Sequence, residues 1–232
     1  PPRSTLFPYT TLFRSPICLN THPPGCREET RAQIDYIRKQ ARLKGPKNTL
    51  VIGASGGYGL ASRITAAFGC GSATLGIAYE KEPTEKREGT SGYYNTEFFD
   101  QEAARSGLIS GSLNGDAFSE EIKHQTIETL KRNFGPLDLV IYSLASPVRT
   151  DPASGITYRS VLKPFGQPYT SKSLDPLTAQ VTEVTINPAT EEERDSTVKV
   201  MGGEDWELWI RALQKEKLLA PGVITVSYSY VG

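Results

Sequence analysis

The chain has 232 residues, of which 38% are hydrophobic, and this length suffices for one large domain with a three-layer core. Lys plus Arg and Asp plus Glu both number 26, so the formal net charge is zero and gives no sign of a nucleic-acid-binding or membrane-binding surface. No apolar run reaches membrane-spanning length, and 3 cysteines are too few for a disulfide framework, so we expect a protein of a reducing cytoplasm.

Residues 1–15 differ in character from the rest of the chain. They begin without Met and lack the basic segment, apolar core and cleavage site of a signal peptide. Their sequence resembles a translated sequencing adapter more than protein. We therefore expect a foreign, disordered leader and a domain that occupies residues 16–232.

The first candidate ligands are Cys18, His22 and Cys26, which are spaced by four residues. Pro23-Pro24 is expected to prevent a continuous helix through them, and a fourth ligand is missing, so we predict a loop and no metal site. An amphipathic helix that covers a sheet is predicted over Arg27–Leu43.

The stretch Asn48–Gly59 has the pattern of a strand, a glycine turn and the start of a helix. Leu50–Ile52 fits a buried parallel strand, and Leu60–Phe68 is compatible with a helix. The spacing Gly53-x3-Gly57-x-Gly59 is the glycine pattern of short-chain dehydrogenase-like Rossmann domains. Such a turn lets backbone N–H groups approach a pyrophosphate at a helix N-terminus. The alternative is a tight turn that binds nothing.

A second strand is predicted over Ala73–Tyr79, with Glu80 at its end. An acidic residue at this place can accept both hydroxyl groups of the adenosine ribose and repels the 2′-phosphate of NADP, so it favours NAD. The alternative is that Glu80 only opens the polar loop Glu80–Glu88.

The next elements are a helix over Tyr93–Ser106, with Thr96 or Asn95 as its cap, and a strand over Leu108–Leu113. Asp116 follows that strand, where Rossmann enzymes often contact the adenine ring. It is equally compatible with a role in the first turn of the next helix.

Ser119–Phe134 has a Ser cap, acidic residues in its first turn and basic residues in its last, which predicts a helix. Leu137–Tyr142 is the fourth strand, and the turn that follows, with Leu144 and Ala145, can pass close to the nicotinamide ribose. Alternating strands and helices predict an α/β fold, a doubly wound, Rossmann-like parallel sheet with helices on both faces.

The region 150–188 is rich in proline and has short strand-like runs, which predicts a β-hairpin insertion. Thr190–Val200 follows as a helix, with Thr190 and Glu193 in a capping-box arrangement. Glu204–Leu219 is predicted as a further helix and Val223–Val231 as the last strand.

From about Ile17 onwards the sequence resembles the FabV-type trans-2-enoyl-CoA / enoyl-[acyl-carrier-protein] reductases. The motifs that carry the resemblance are THPPGC (Thr21–Cys26), GPKNTLVIGASGGYGLASRITAAFGCG (Gly45–Gly71), NGDAFS (Asn114–Ser119), YSLASPVR (Tyr142–Arg149), GQPYTSKS (Gly166–Ser173), VKVMGGEDWELWI (Val198–Ile210) and YSYVG (Tyr228–Gly232). The resemblance implies NADH-dependent reduction of the C2–C3 double bond of trans-2-enoyl thioesters in fatty acid biosynthesis.

The resemblance also implies roles for single residues. Contacts to the pyrophosphate are implied for Gly53, Ala54, Ser55, Gly56, Gly57 and Tyr58; to the adenosine ribose for Tyr79 and Glu80; to adenine for Asp116 and Ala117; and to the nicotinamide side for Leu144 and Ala145. It implies that Tyr230 contacts the thioester substrate. The family's catalytic Tyr and Lys, with eight residues between them, are expected beyond Gly232, so we expect no catalytic residue here and an inactive chain.

The expected partner is a small-molecule acyl thioester, acyl-CoA or acyl carrier protein, with no nucleic acid and no membrane. We expect a monomer in the bacterial cytoplasm. Two alternatives are another short-chain-type NAD oxidoreductase, which a downstream Tyr-x-x-x-Lys would favour, and a non-catalytic dinucleotide-binding module.

Overall fold

A computed structural model describes residues 11–14, 17–175 and 178–229. The chain divides into two compact units, Pro1–Leu144 with Trp209–Gly232, and Ala145–Leu208. In chain order the helices and strands are β1 (Thr11–Arg14), β2 (Ile17–Asn20), α1 (Pro23–Arg38), β3 (Asn48–Ile52), α2 (Gly57–Ile64), a π-helical turn (Thr65–Cys70), β4 (Ala73–Ala78), α3 (Ser91–Arg105), β5 (Ser110–Asn114), α4 (Glu120–Asn133), β6 (Leu137–Tyr142), β7 (Val148–Thr150), β8 (Thr157–Arg159), β9 (Tyr169–Asp175), β10 (Gln180–Ile186), α5 (Glu191–Met201), α6 (Glu204–Lys215) and β11 (Leu219–Ser227).

The first unit contains a parallel sheet of five strands in the order β11-β6-β3-β4-β5. The central strand β3 pairs with β4 through Leu50 and Leu75 and with β6 through Leu50 and Val140. Leu50, Val51 and Ile52 are fully buried, as the apolar run predicts.

Helices cover both faces of this sheet. One buried cluster joins α1, α2 and α3 through Ile34, Leu60, Ile64 and Phe99. The connections from β3 to β5 run across the sheet in one direction, and those from β5 through β6 to β11 run in the other. Right-handed crossovers therefore place α4 and α6 on the face opposite α2 and α3. The predicted doubly wound parallel sheet is confirmed.

The start of α1 differs from the sequence prediction. The helix spans Pro23–Arg38 instead of Arg27–Leu43, and its first residues are prolines. Proline is tolerated there because the first N–H groups of a helix have no intrahelical partner. His22 precedes the helix, and its Nδ1 accepts a hydrogen bond from Gly25 N at 3.2 Å. The predicted loop is therefore wrong from Pro23 onwards, whereas no continuous helix runs through Cys18, His22 and Cys26, because Cys18 lies in β2 and α1 begins only after His22.

The start of α3 also differs. The helix begins at Ser91 after Thr90, so Asn95 and Thr96 lie inside it and are not its cap. The Thr90 hydroxyl donates to the Glu80 carboxylate and does not cap its own helix. Thr90, Asn95 and Thr96 are all of residue types that favour a helix start, so the sequence alone does not decide between them.

The last strand begins earlier than its β-branched run suggests. β11 starts at Leu219, which pairs with Leu137, and the register shifts before Ile224 pairs with Leu139. Pro221-Gly222 lies within this irregularity. A proline interior to a strand is compatible with a bulge of this kind, which the pattern of residues did not reveal.

The second unit contains two antiparallel hairpins, β7–β8 and β9–β10, in the region where a hairpin insertion is predicted. α5 has the predicted capping box, since Thr190 Oγ1 accepts from Glu193 N and Glu193 Oε2 accepts from Thr190 N. Arg149 of β7 is buried and donates to Lys199 O and to Glu204 Oε2, both at 2.7 Å.

Part of the predicted leader is described. Thr11–Arg14 pairs antiparallel with Ile17–Asn20, while residues 1–10 and 15–16 lie outside the described residues. The assignment of residues 1–15 to a foreign leader stays a prediction. Among residues 11–14, 17–175 and 178–229, no helix has the length and apolar character needed to span a bilayer.

Candidate cofactor site

The turn between β3 and α2 is shaped by close backbone approach at two glycines. Gly53 has φ 83°, and a Cβ there would lie 2.3 Å from Ser143 O. A Cβ at Gly59 would lie 1.9 Å from Gly53 O. Because neither position has room for a side chain, glycine at both lets α2 begin directly against the ends of β3 and β6.

The opposite side of this turn is open. A Cβ at Gly56 or Gly57 would meet nothing within 4 Å. α2 begins at Gly57, so its first N–H groups lie beside this space, where a helix N-terminus favours an anion. Ala54 is buried, whereas Tyr58 is 73% exposed. The turn therefore combines a closed inner side with an open outer side of the right polarity for a phosphate.

Ser55 connects this turn to the end of β4, the strand next to β3 in the sheet. Its hydroxyl donates to Glu80 Oε1 at 2.5 Å, and the Thr90 hydroxyl donates to the other carboxylate oxygen. The Ser55 carbonyl in turn accepts from Asn95 Nδ2 at 3.0 Å. Two residues predicted for different parts of a dinucleotide, Ser55 and Glu80, are thus in direct contact.

The backbone of Glu80 is held by the neighbouring strand. Glu80 N donates to Asn114 Oδ1 at 2.8 Å, and Asn114 Nδ2 donates to Glu80 O at 3.0 Å. Tyr79, which precedes it, is 78% exposed. Glu80 thus opens the segment between β4 and α3 with its side chain and backbone both fixed, and its contact with the ribose stays a prediction.

Asp116 and Ala117 lie in the turn after β5. Asp116 Oδ1 accepts from Phe118 N at 2.9 Å, and its carbonyl accepts from Ser119 N at 2.9 Å. Ser119 then caps α4 by accepting from Ile122 N, as predicted. Asp116 therefore has the turn-forming role that the sequence left open, and its contact with adenine stays a prediction.

The turn after β6 lies beside the glycine turn. Ser143 N donates to Ile52 O at 2.8 Å, and the backbone N of Leu144 lies 3.1 Å from where a Cβ of Gly53 would be. The first unit's segment Pro1–Leu144 ends here, and the second unit begins with Ala145. The predicted site residues Gly53–Tyr58, Glu80, Asp116 and Leu144 all follow the carboxyl ends of β3–β6.

This edge of the sheet is also where the strand order reverses, because β4 and β6 lie on opposite sides of β3. In open α/β sheets, ligands bind in the crevice at such a point.

Two family models match the chain, one described as the NAD(P)H binding domain of trans-2-enoyl-CoA reductase over residues 9–85 and one as the trans-2-enoyl-CoA reductase catalytic region over residues 87–232.

The chain belongs to the trans-2-enoyl-CoA reductase family.

Two curated proteins are similar to most of this chain. An enoyl-[acyl-carrier-protein] reductase [NADH] of Saccharophagus degradans is 56% identical over 217 residues, which are 93% of this chain and 55% of the relative. A trans-2-enoyl-CoA reductase [NADH] of Treponema denticola is 54% identical over 227 residues, 95% of this chain and 57% of the relative. The chain therefore spans about half the length of the curated relatives it matches.

Solved structures agree with the fold. The crystal structure of Treponema denticola trans-2-enoyl-CoA reductase in complex with NAD superimposes with a TM-score of 0.89 at 53% identity, covering 96% of this chain and 57% of that chain. The Clostridium acetobutulicum enzyme in complex with NADH gives a TM-score of 0.91 at 40% identity, covering 96% and 56%. The boundary between the two trans-2-enoyl-CoA reductase models falls between β4 and α3, so both regions contribute strands to one sheet.

A tyrosine contact in this site was not predicted. The ring of Tyr228 stacks on Tyr58 of the glycine turn, with centroids 5.5 Å apart and planes at 29°. The hydroxyl groups of Tyr228 and Ser62 lie 2.8 Å apart. The YSY motif carried a usable signal, because Tyr228 is its first residue. Tyr230, the predicted substrate contact, lies outside the described residues.

A buried arginine network fixes α2 beneath the turn. Arg63 is fully buried, donates to Ser112 Oγ at 2.9 Å and to Gly111 O at 2.6 Å, and lies over the Phe99 ring at 4.1 Å. Burial lowers the pKa of Arg63 to about 10, partly opposed by the charge of Asp100. The guanidinium therefore stays charged at neutral pH and links α2 to β5.

Proposed function

We propose that this chain forms the NADH-binding part of an enzyme that reduces the C2–C3 double bond of trans-2-enoyl thioesters. The observation that carries the proposal is the hydrogen bond of 2.5 Å between Ser55 and Glu80, which joins the phosphate turn to the ribose position. The names of the relatives support it, since they are reductases of enoyl-CoA or enoyl-acyl carrier protein that use NADH.

The chain's own residues would bind and orient the dinucleotide. The N–H groups around Gly56 and Gly57 would hold the pyrophosphate in the open space beside them. Glu80 and Tyr79 would contact the adenosine ribose, and Asp116 with Ala117 the adenine. Ser55 and Thr90 occupy part of the accepting capacity of the Glu80 carboxylate and fix it in place, so that its remaining lone pairs can accept ribose hydroxyl groups.

NADH supplies the hydride when it is bound. Leu144 and Ala145 would pass close to the nicotinamide, and Tyr230 would contact the thioester. Reduction at the β-carbon places negative charge on the thioester oxygen, which needs a positioned hydrogen-bond donor. The resemblance places the Tyr and Lys for this task beyond Gly232, so we assign no catalytic residue in this chain and expect binding without efficient turnover.

Fluorescence titration of the purified chain with NADH and NADPH tests this function. We expect saturable NADH binding, with NADPH at least about tenfold weaker because of repulsion between its 2′-phosphate and Glu80. Glu80→Gln removes the charge while keeping the shape, and should reduce that preference. Absence of NADH binding by a chain whose circular dichroism shows it folded would refute the proposal.

The substrate class is tested separately. The chain carrying the family's downstream Tyr-x8-Lys segment should oxidise NADH when a short trans-2-enoyl-CoA is added, and a matched saturated acyl-CoA should give no reaction. Turnover of a ketone or alcohol in place of the enoyl thioester would favour another short-chain-type oxidoreductase. A role in fatty acid biosynthesis, a monomeric state and a bacterial cytoplasmic location remain predictions; light scattering tests the second.

A further inference from the structure

The turn that joins β5 to α4 is held from one side by a buried lysine and a buried tryptophan. Lys123 is 3% exposed, and its Nζ donates to Phe118 O at 2.8 Å and to Ala117 O at 3.4 Å. Trp209 of α6 is fully buried and donates from Nε1 to the same Ala117 oxygen at 3.2 Å. The Lys123 ammonium also lies 5.4 Å from the centroid of the Trp209 ring.

Asp116 holds the other side of the same peptide groups. The peptide group that carries the Ala117 carbonyl also carries the N–H of Phe118, which donates to Asp116 Oδ1 at 2.9 Å. The next peptide group carries the Phe118 carbonyl and the N–H of Ser119, which donates to Asp116 O at 2.9 Å. Both peptide planes are therefore fixed between Lys123 and Asp116, and their tilt sets the direction of the Asp116 carboxylate.

Burial removes most of the hydration of the Lys123 ammonium in the first turns of α4, so the protein groups around it have to replace that water. Two of these groups are the carbonyl oxygens of Ala117 and Phe118, which Lys123 therefore orients.

We propose that Lys123 is a positioning residue that holds Asp116 ready to recognise the adenine base of the dinucleotide. The inference rests on the proposed function. A carboxylate accepts a hydrogen bond from the 6-amino group of adenine, whereas the 6-oxo group of hypoxanthine offers only an acceptor there. Lys123 then determines base specificity without touching the base.

The test compares NADH with reduced nicotinamide hypoxanthine dinucleotide, which differ only in the base. Their dissociation constants are measured by nicotinamide fluorescence on the 232-residue chain and on Lys123→Met, Lys123→Arg and Lys131→Met. Lys131 is the matched control, because it lies on the same helix and pairs with Glu216 at 2.8 Å. We expect the unchanged chain and Lys131→Met to prefer NADH.

In Lys123→Met, NADH should bind about tenfold more weakly while the hypoxanthine dinucleotide changes little, so that the preference is lost. Lys123→Arg should restore part of it. An unchanged preference, or equal weakening of both dinucleotides, overturns the inference. If Lys123→Met does not fold, Trp209→Phe removes the second donor to Ala117 O and must reduce the preference for the inference to stand.

The two proposals fail in different ways. A folded, unchanged chain that binds neither dinucleotide refutes the proposed function and this inference with it. A chain that binds both dinucleotides equally well keeps the proposed function and refutes the inference, because the Asp116 turn would then not recognise the base.

Discussion

Arg63 and Asp100 form an ion pair of 3.1 Å in which the guanidinium is fully buried, while the carboxylate side chain stays 33% exposed. Asp100 also accepts from the hydroxyl groups of Ser110 and Ser112. The pair therefore connects α2, which carries the phosphate turn, to α3 and to β5. A charge buried in this way depends on its partners, because without them its lost hydration is not offset.

Substitution of Arg63 should therefore affect stability strongly. Arg63→Met removes the ionic partner of Asp100 and the side-chain donor to the carbonyl of Gly111, and we expect the free energy of unfolding to fall by about 3–5 kcal/mol. The control is Arg105→Met: the Arg105 side chain is 66% exposed, and Glu102 keeps Arg38 at 3.5 Å, so the free energy of unfolding should change by less than about 0.5 kcal/mol. Urea unfolding measures both; equal effects would contradict the buried network.

Substitution by alanine should have different effects on stability at two glycines near this turn, Gly59 and Gly56. Gly59→Ala places a Cβ 1.9 Å from Gly53 O, so we expect a loss of about 1–3 kcal/mol in stability. Gly56→Ala places its Cβ in open space, with φ −161° at this residue, and should leave the unfolding free energy nearly unchanged.

The same Gly56→Ala variant should bind NADH about tenfold more weakly if a pyrophosphate occupies that open space. Thermal unfolding and fluorescence titration of both variants give the result. A Gly56→Ala variant with full affinity would show that the phosphate does not lie beside this residue.

The Tyr228–Ser62 contact should appear as an energetic coupling. Tyr228→Phe keeps the ring that stacks on Tyr58 and removes only the hydroxyl, and Ser62→Ala removes its partner. In a double-mutant cycle on unfolding free energy, we expect a coupling of about 0.5–1.5 kcal/mol. Strictly additive effects would mean that the two hydroxyl groups do not interact in solution.

The capping box of α5 should make stability depend on pH. Hydrogen bonds from Lys163 and from Thr190 N lower the pKa of Glu193 below its ordinary value of 4.5. The charged form is thus favoured in the folded state, so its contribution is complete above pH 4.5 and is lost as the pH falls through the lowered pKa. Glu193→Gln should remove this part of the acid dependence, measured as unfolding midpoints between neutral and acidic pH. A variant with the original pH profile would contradict it.

The sequence predicted those helices and strands whose own residues favour that structure. α4 begins after Ser119 and carries Glu120, Glu121, Lys131 and Arg132 at the ends where the dipole favours them, and its prediction is confirmed. The strand Leu137–Tyr142 is confirmed for a similar reason, because an apolar run between turn residues needs no distant partner to be recognised.

The remaining features depend on contacts between residues far apart in the chain. Thr90 gives its hydroxyl to Glu80, Asn95 holds Ser55, and Tyr228 stacks on Tyr58. None of these partners lies at a helical or strand spacing from the other. Their positions follow from the order of the strands, which brings the ends of β3, β4 and β11 to one edge.

The pairing of β3 with β6 has a consequence for how the chain folds during synthesis. Asn48 N, at the start of β3, donates to Asp138 across a sequence separation of 90 residues. The centre of the sheet therefore cannot form until β6 has left the ribosome, and closing so long a loop slows folding. Until then β3 has a bare edge of unpaired N–H and C=O groups, at which the nascent chain can pair with another chain and aggregate.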